Sequence, residues 1–128
     1  MLADRDVTAT VAVKDMEVAK HFYEDTLGLK RLDAEGSEAM VYAAGGSKLL
    51  VYKSQYAGTN KATAVTWSMG EELEGAVKTL KAKGVAFEHY QMPQVRLSGD
   101  VHVMGPNGEM KAAWFKDPDG NILALVSR

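Results

Sequence analysis

The strongest constraint on this chain is that it is written twice. Laying Val11-Ala12-Val13 over Trp67-Ser68-Met69 puts Asp15 on Glu71, Ala19 on Gly75 and Leu29 on Val85, and Gly28 and Gly84 close the corresponding segments. A repeat of this length means that one supersecondary unit is used twice and that its copies bury apolar surface together. Any chemistry is then expected where the copies face each other.

In the first copy Val7, Ala9, Val11 and Val13 alternate with Thr8, Thr10 and Ala12, the period of a strand with one apolar face. Asp15 is placed to cap a helix in which Met16, Ala19, Phe22, Tyr23 and Leu27 recur at three and four residues, and Gly28 to stop it. Strands are predicted over 29–34, 39–43 and 48–53. The second copy repeats the order. A strand over 63–69 leads to a helix over 71–83, with Leu73, Ala76, Val77 and Leu80 inward, and Gly84 stops it. Strands follow over 85–90, 109–116 and 122–126, with an irregular stretch over 91–99, containing Pro93 and Arg96, that is a candidate lid. Asp117-Pro118-Asp119-Gly120 is a turn signal, and Ala43-Ala44-Gly45-Gly46 occupies its place in the first copy.

Each copy therefore reads β-α-β-β-β, an α+β unit whose small sheet has a helix on one face. Module one spans about 5–55 and module two about 62–127 within one domain, with Gly58-Thr59-Asn60-Lys61 as the linker. The other faces cannot both stay apolar in water, so they are expected to curve around a shared cavity. Strand parity then assigns Thr8, Thr10, Met40, Tyr42, Leu50, Tyr52, Thr66, His102, Met104, Trp114 and Ala124 to the ligand-lining side, joined by Ala64 and Ala112. Val41, Val51, Trp67, Phe115 and Leu125 fall on the helix side.

Composition excludes other classes. Among 128 residues there are 15 basic and 17 acidic side chains in mixed clusters, with no basic stripe for a nucleic-acid backbone. No apolar run approaches membrane-spanning length. The absence of cysteine and a charged start from Asp4 to Asp6 point to a reducing cytoplasm.

The residues Val13-Lys14-Asp15, Phe22-Tyr23 and Leu27-Gly28, together with the block from Lys111 through Trp114-Phe115-Lys116-Asp117-Pro118-Asp119-Gly120-Asn121, resemble the glyoxalase, bleomycin-resistance and dioxygenase group, the vicinal oxygen chelate (VOC) superfamily. The resemblance implies paired βαβββ modules with clefts, frequent homodimers, and in many members a divalent metal on two histidines and one or two glutamates. Those ligand positions, in the first and last strand of each module, fall on Thr8, Leu50, Ala64 and Ala124. Aliphatic side chains have no lone pair and a neutral threonine hydroxyl is a poor ligand, so no metal cofactor is expected. Glyoxalase-type isomerisation and extradiol ring cleavage both need that metal.

The leading expectation is thus a metal-independent protein that sequesters or carries a small hydrophobic or aromatic compound, with a homodimer as the expected assembly. The alternative is a glyoxalase-like lyase or isomerase with a non-standard site, using His102, Lys111 or a tyrosine as acid or base. An unusual metal site from His89, His102 and Asp100 is a further alternative, without a signature in its spacing. His21 reads as solvated on its helix, and His89 as structural.

Overall fold

Strand β1 (Ala9–Val13) buries Val11 and Val13 and leaves Thr10 exposed, as its alternation requires. Asp15 ends the extended backbone and caps the helix α1 (Met16–Lys20), its carboxylate accepting from the amides of Glu17 and Val18. The helix continues as π-helical turns over His21–Thr26, so that the Leu27 amide reaches back to the Phe22 carbonyl. Gly28 then turns the chain with φ 75°, as Gly84 does with φ 94° after the second helix. Strands β2 (Lys30–Ala34), β3 (Ala39–Ala44) and β4 (Ser47–Lys53) complete a sheet of order β1-β4-β3-β2, in which β1 runs parallel to β4. The computed structural model describes residues 1–34 and 38–128.

The second copy uses the same path. Strand β5 (Thr63–Ser68) leads through a 3₁₀ turn into α2 (Leu73–Ala82), which buries Leu73 and Val77. The strands β6 (Phe87–Glu88), β7 (Arg96–Ser98), β8 (Val101–Met104), β9 (Met110–Lys116) and β10 (Ile122–Val126) follow. The sheet order is β5-β10-β9-β8-β7, with β6 also on β9 and β5 parallel to β10. This α+β pair of βαβββ-like modules is the architecture the repeat predicts. The chain divides into two compact units, Met1–Asn60 with Pro118–Asn121 and Lys61–Asp117 with Ile122–Arg128. The Asp117-Pro118-Asp119-Gly120 turn thus belongs mostly to the first unit. Asp119 accepts from the Lys14 amide at 3.1 Å, and the buried Asn121 side chain donates to the Ala12 carbonyl at 2.7 Å.

Three expectations change. The strand expected over 85–90 shrinks to the two residues of β6, and the place beside β9 that matches β2 is taken by β8. The long strand β9 serves both, pairing its first half with β8 and Trp114-Phe115 with β6. Within the stretch expected to be irregular, Arg96–Ser98 is an edge strand on β8.

The second change concerns β3. Gly45-Gly46 makes a two-residue hairpin in which Ala44 faces Ser47, so Tyr42 pairs with Leu49 and Met40 with Val51. Leu49 and Val51 are buried, and Met40 and Tyr42 share their face, not the face of Leu50 and Tyr52. Tyr42 is fully buried under the helical segment, stacked on Tyr23 with ring centroids 6.2 Å apart, and its hydroxyl donates to Glu24 at 2.9 Å. Burial, then the Glu24 bond, raises the Tyr42 phenol well above its ordinary range. Met40 and Tyr42 therefore belong to the helix-side core, and Val41 takes the opposite face.

The third change is a bulge in β5. Thr63 pairs with Ile122 but Val65 with Leu123, which leaves Ala64 as the extra residue. Thr63 and Thr66 consequently share one face.

Candidate functional site

The register fixes which side chains lie on the sheet faces away from the helices. In the first sheet these include Thr10, which pairs with Leu50, and Tyr52, which is 39% exposed. Thr8 precedes β1 and is exposed in the approach to the strand, so it falls outside the sheet. In the second sheet Thr66 pairs with Ala124, Ala124 with Trp114, and Ala112 with His102. Met104, two residues beyond His102, follows on the same face. Thr10 and Thr66 occupy matching positions of the repeat, and so do their partners Leu50 and Ala124.

The second sheet carries the richer chemistry. Trp114 donates its indole N–H to the Thr63 hydroxyl at 3.1 Å, which the β5 bulge makes possible. His102 meets the Trp114 ring nearly edge-on, with centroids 4.8 Å apart and planes at 84°. Tyr90 touches both rings, at 5.9 Å from His102 and 5.6 Å from Trp114. Sequence reasoning placed His102 and Trp114 here but missed Tyr90 and Thr63. The signal for Tyr90 was its position just before the inserted stretch, and Thr63 was hidden by the bulge.

His102 has no exposed surface, and its Nε2 accepts the Tyr90 amide at 2.9 Å. That bond assigns the ring proton to Nδ1. Burial, reinforced by any charge on His89, holds the imidazole below its ordinary range, with the nearby Ala112 carbonyl acting the other way. The carbonyl does not reach hydrogen-bonding geometry, and among the described residues the buried polar side-chain atoms without a partner are His102 Nδ1 and Tyr90 Oη. Burial, then the Glu88 charge, raises the Tyr90 phenol. Both groups are neutral near pH 7.

Other candidates separate from this cluster. Lys111 points to the helix side, where its ammonium meets Glu74 at 2.8 Å, so it does not converge with His102 near Trp114. Asp100 binds Lys81 at 2.6 Å and His89 at 2.8 Å, and these two, Lys81 first, hold its carboxyl below the ordinary range. His102 commits its Nε2 to a backbone amide, so His89, His102 and Asp100 form no ligand set. Among the described residues no group of three or more His, Cys, Asp or Glu is placed to hold a metal ion. His21 is exposed and paired with Asp25 on its own helical segment. A depression of about 420 Å³ in the first unit, lined by Lys14, Asp15, Met16, Glu17, Glu38 and Lys53, lies by register on the helix side.

The match to known proteins agrees with this architecture. Residues 6–125 match the Glyoxalase/Bleomycin resistance protein/Dioxygenase superfamily, and the chain belongs to that family. Its fold is similar to the glyoxalase family protein from Enterococcus faecalis, at 19% identity and a TM-score of 0.72, over 98% of this chain and 99% of that one. It is also similar to the lactoylglutathione lyase from Agrobacterium tumefaciens, at 18% identity and a TM-score of 0.68, over 96% and 92%. A mutant of the fosfomycin resistance protein FosX from Listeria monocytogenes, complexed with Mn(II) and a dihydroxypropylphosphonic acid, matches at 17% identity and a TM-score of 0.67, over 99% and 91%. Identities this low establish a shared fold and nothing about shared chemistry. No curated protein sequence shows significant similarity to the chain.

The metal of such relatives can be tested against the residues present. The paired positions of first and last strands here hold Thr10 with Leu50 and Thr66 with Ala124, and the shifted choices are Thr8, Thr63 and Ala64. Neutral hydroxyls and aliphatic side chains are the wrong donors for a divalent transition metal. The donor set does not fit the group.

Proposed function

We propose that this chain is a metal-independent small-molecule-binding member of its family, which sequesters or carries a small hydrophobic or partly aromatic compound. The observation that carries this reading is the Trp114 face of the second sheet. A part-exposed indole is flanked by Ala112 and Ala124, with its N–H on the Thr63 hydroxyl and with Thr66 on the same sheet face, across Ala124. Large aromatic surface with a few fixed polar groups suits a flat ligand, which gains from stacking and is oriented by hydrogen bonds. Tyr52 and Leu50 give the first sheet a similar, smaller apolar face. The residues at the ligand positions favour binding without a metal, as argued from their donor chemistry.

An acid–base enzyme is less well supported. Its best candidate base, His102, is enclosed and committed to a backbone amide, and Lys111 lies on the other face. A homodimer forms part of the proposal, and light scattering of purified protein tests it.

The test of function is a thermal-shift screen of planar aromatic and alicyclic compounds against EDTA-treated protein, with hits measured by equilibrium dialysis. Saturable one-site binding without added metal supports the proposal. Uniform failure across chemically diverse compounds would sink it.

A further inference from the structure

The segment just past β6 is held closed by a bond that one proton destroys. The Tyr90 amide donates to His102 Nε2, and Tyr90 leads directly into residues 91–95. Protonating Nε2 turns an acceptor into a donor facing another donor, so the bond cannot survive in the charged ring. The closed state is also poorly supported locally. Met92 and Val95 close a turn around Pro93 and Gln94, and Gln94 sits at φ 61°, a conformation that usually selects glycine or asparagine. Tyr90 Oη and His102 Nδ1 are both buried without partners in the same arrangement. The Tyr90 ring lies against Trp114, so its movement exposes the indole.

We propose that the Tyr90–His102 bond is a proton-operated latch: protonation of His102 releases the strap of residues 90–95 and uncovers the Trp114 face. The regulatory meaning rests on the binding role proposed for that face, whereas the latch itself does not. The charged groups around His102 have other partners. From the β6 end, His89 is bound to Asp100, and Glu88 pairs with Lys116 of β9 at 3.4 Å. Just before β8, Asp100 is further held by Lys81 of α2. Lys111 of β9 is turned to Glu74, and Arg96 of β7 pairs with Val103, on the face opposite His102. No carboxylate among these touches the imidazole. A charge on His89 opposes protonation of His102, which places the switch on the acid side of an ordinary histidine.

The experiment follows ¹⁵N-labelled Trp67→Phe protein from pH 8 to pH 4 without any ligand. It records His102 ring shifts, amide protection factors and acrylamide quenching of the remaining tryptophan. The latch predicts that protection at the Tyr90 and Val95 amides falls at least tenfold and quenching rises about twofold, both at the midpoint of His102 protonation, while the amides of β9 and β10 stay protected. His102→Gln, which offers a carbonyl acceptor at every pH, abolishes the transition. The proposal is overturned if the strap stays protected while His102 titrates, if all amides open together, or if His102→Gln keeps the same midpoint. Because no ligand is present, these outcomes are independent of the screen that tests binding.

Discussion

Replacing Tyr42 with phenylalanine removes one oxygen and tests which way β3 faces. In the structure that hydroxyl is buried and donates to the Glu24 carboxylate at 2.9 Å, and Glu24 keeps a longer contact to Arg31 at 3.8 Å. A hydrogen bond to a charged group contributes about 1.5–3 kcal/mol. Glu24 retains partial access to water and its arginine, so we expect Tyr42→Phe to cost about 1–2 kcal/mol. For a chain of this size that lowers the melting temperature by roughly 3–8 °C. Urea unfolding followed by circular dichroism measures it, with an unchanged m-value. Tyr52→Phe is the control, since Tyr52 is 39% exposed on the other face and its loss should stay within about 0.5 kcal/mol. The placement of β3 is refuted if Tyr42→Phe is as neutral as Tyr52→Phe, or if it alters ligand binding while leaving stability unchanged.

Two further predictions concern the backbone and pH. A Cβ on Gly58 would run into the Asp119 carbonyl oxygen, and Gly58 has φ 77°, so Gly58→Ala should lose about 2–3 kcal/mol in urea unfolding. Gly28→Ala has similar φ but open space around it and should lose only about 1 kcal/mol. The lowered His102 value means that the unfolded chain takes up this proton more readily than the folded one. Its contribution is therefore complete above its ordinary value of 6.5 and is lost as pH falls below it. Urea midpoints from pH 7.5 to 4.5 should decline, and His102→Gln should flatten that decline, whereas Asp100 acts only below its ordinary 3.8.

The sequence carried the architecture because the repeat is strong where it matters. Thr10 and Thr66 overlay in the two copies, and the structure pairs them with Leu50 and Ala124 in the last strand of each copy. The parity assignment of Met40 and Tyr42 failed because the two hairpins differ in length. Ala44 faces Ser47 across two residues, whereas Lys116 faces Ile122 across five, which slips β3 against β9 by one position. A one-residue slip moves every side chain to the other face, so Tyr42 and Met40 changed sides while Tyr52 and Trp114 did not. The Gly45-Gly46 pair contained that information, because a two-residue turn fixes the pairing across it. The bulge at Ala64 and the replacement of residues 85–90 by β8 left no comparable mark. The bulge belongs to the pairing of β5 with β10, and the replacement depends on which strands compete for β9, tertiary questions that local periodicity does not answer.

Binding at Trp114 in the absence of metal is the most direct test of the account. In a Trp67→Phe background, compounds from the screen are titrated into EDTA-treated protein while the remaining indole is followed by fluorescence. Parallel dialysis is run on Trp114→Ala, and the purified protein is analysed for metal. The account predicts saturable quenching that EDTA and added Zn²⁺ leave unchanged, with affinity at least tenfold weaker in Trp114→Ala. One equivalent of tightly held Zn²⁺, Ni²⁺ or Fe²⁺ whose removal abolishes binding would contradict it.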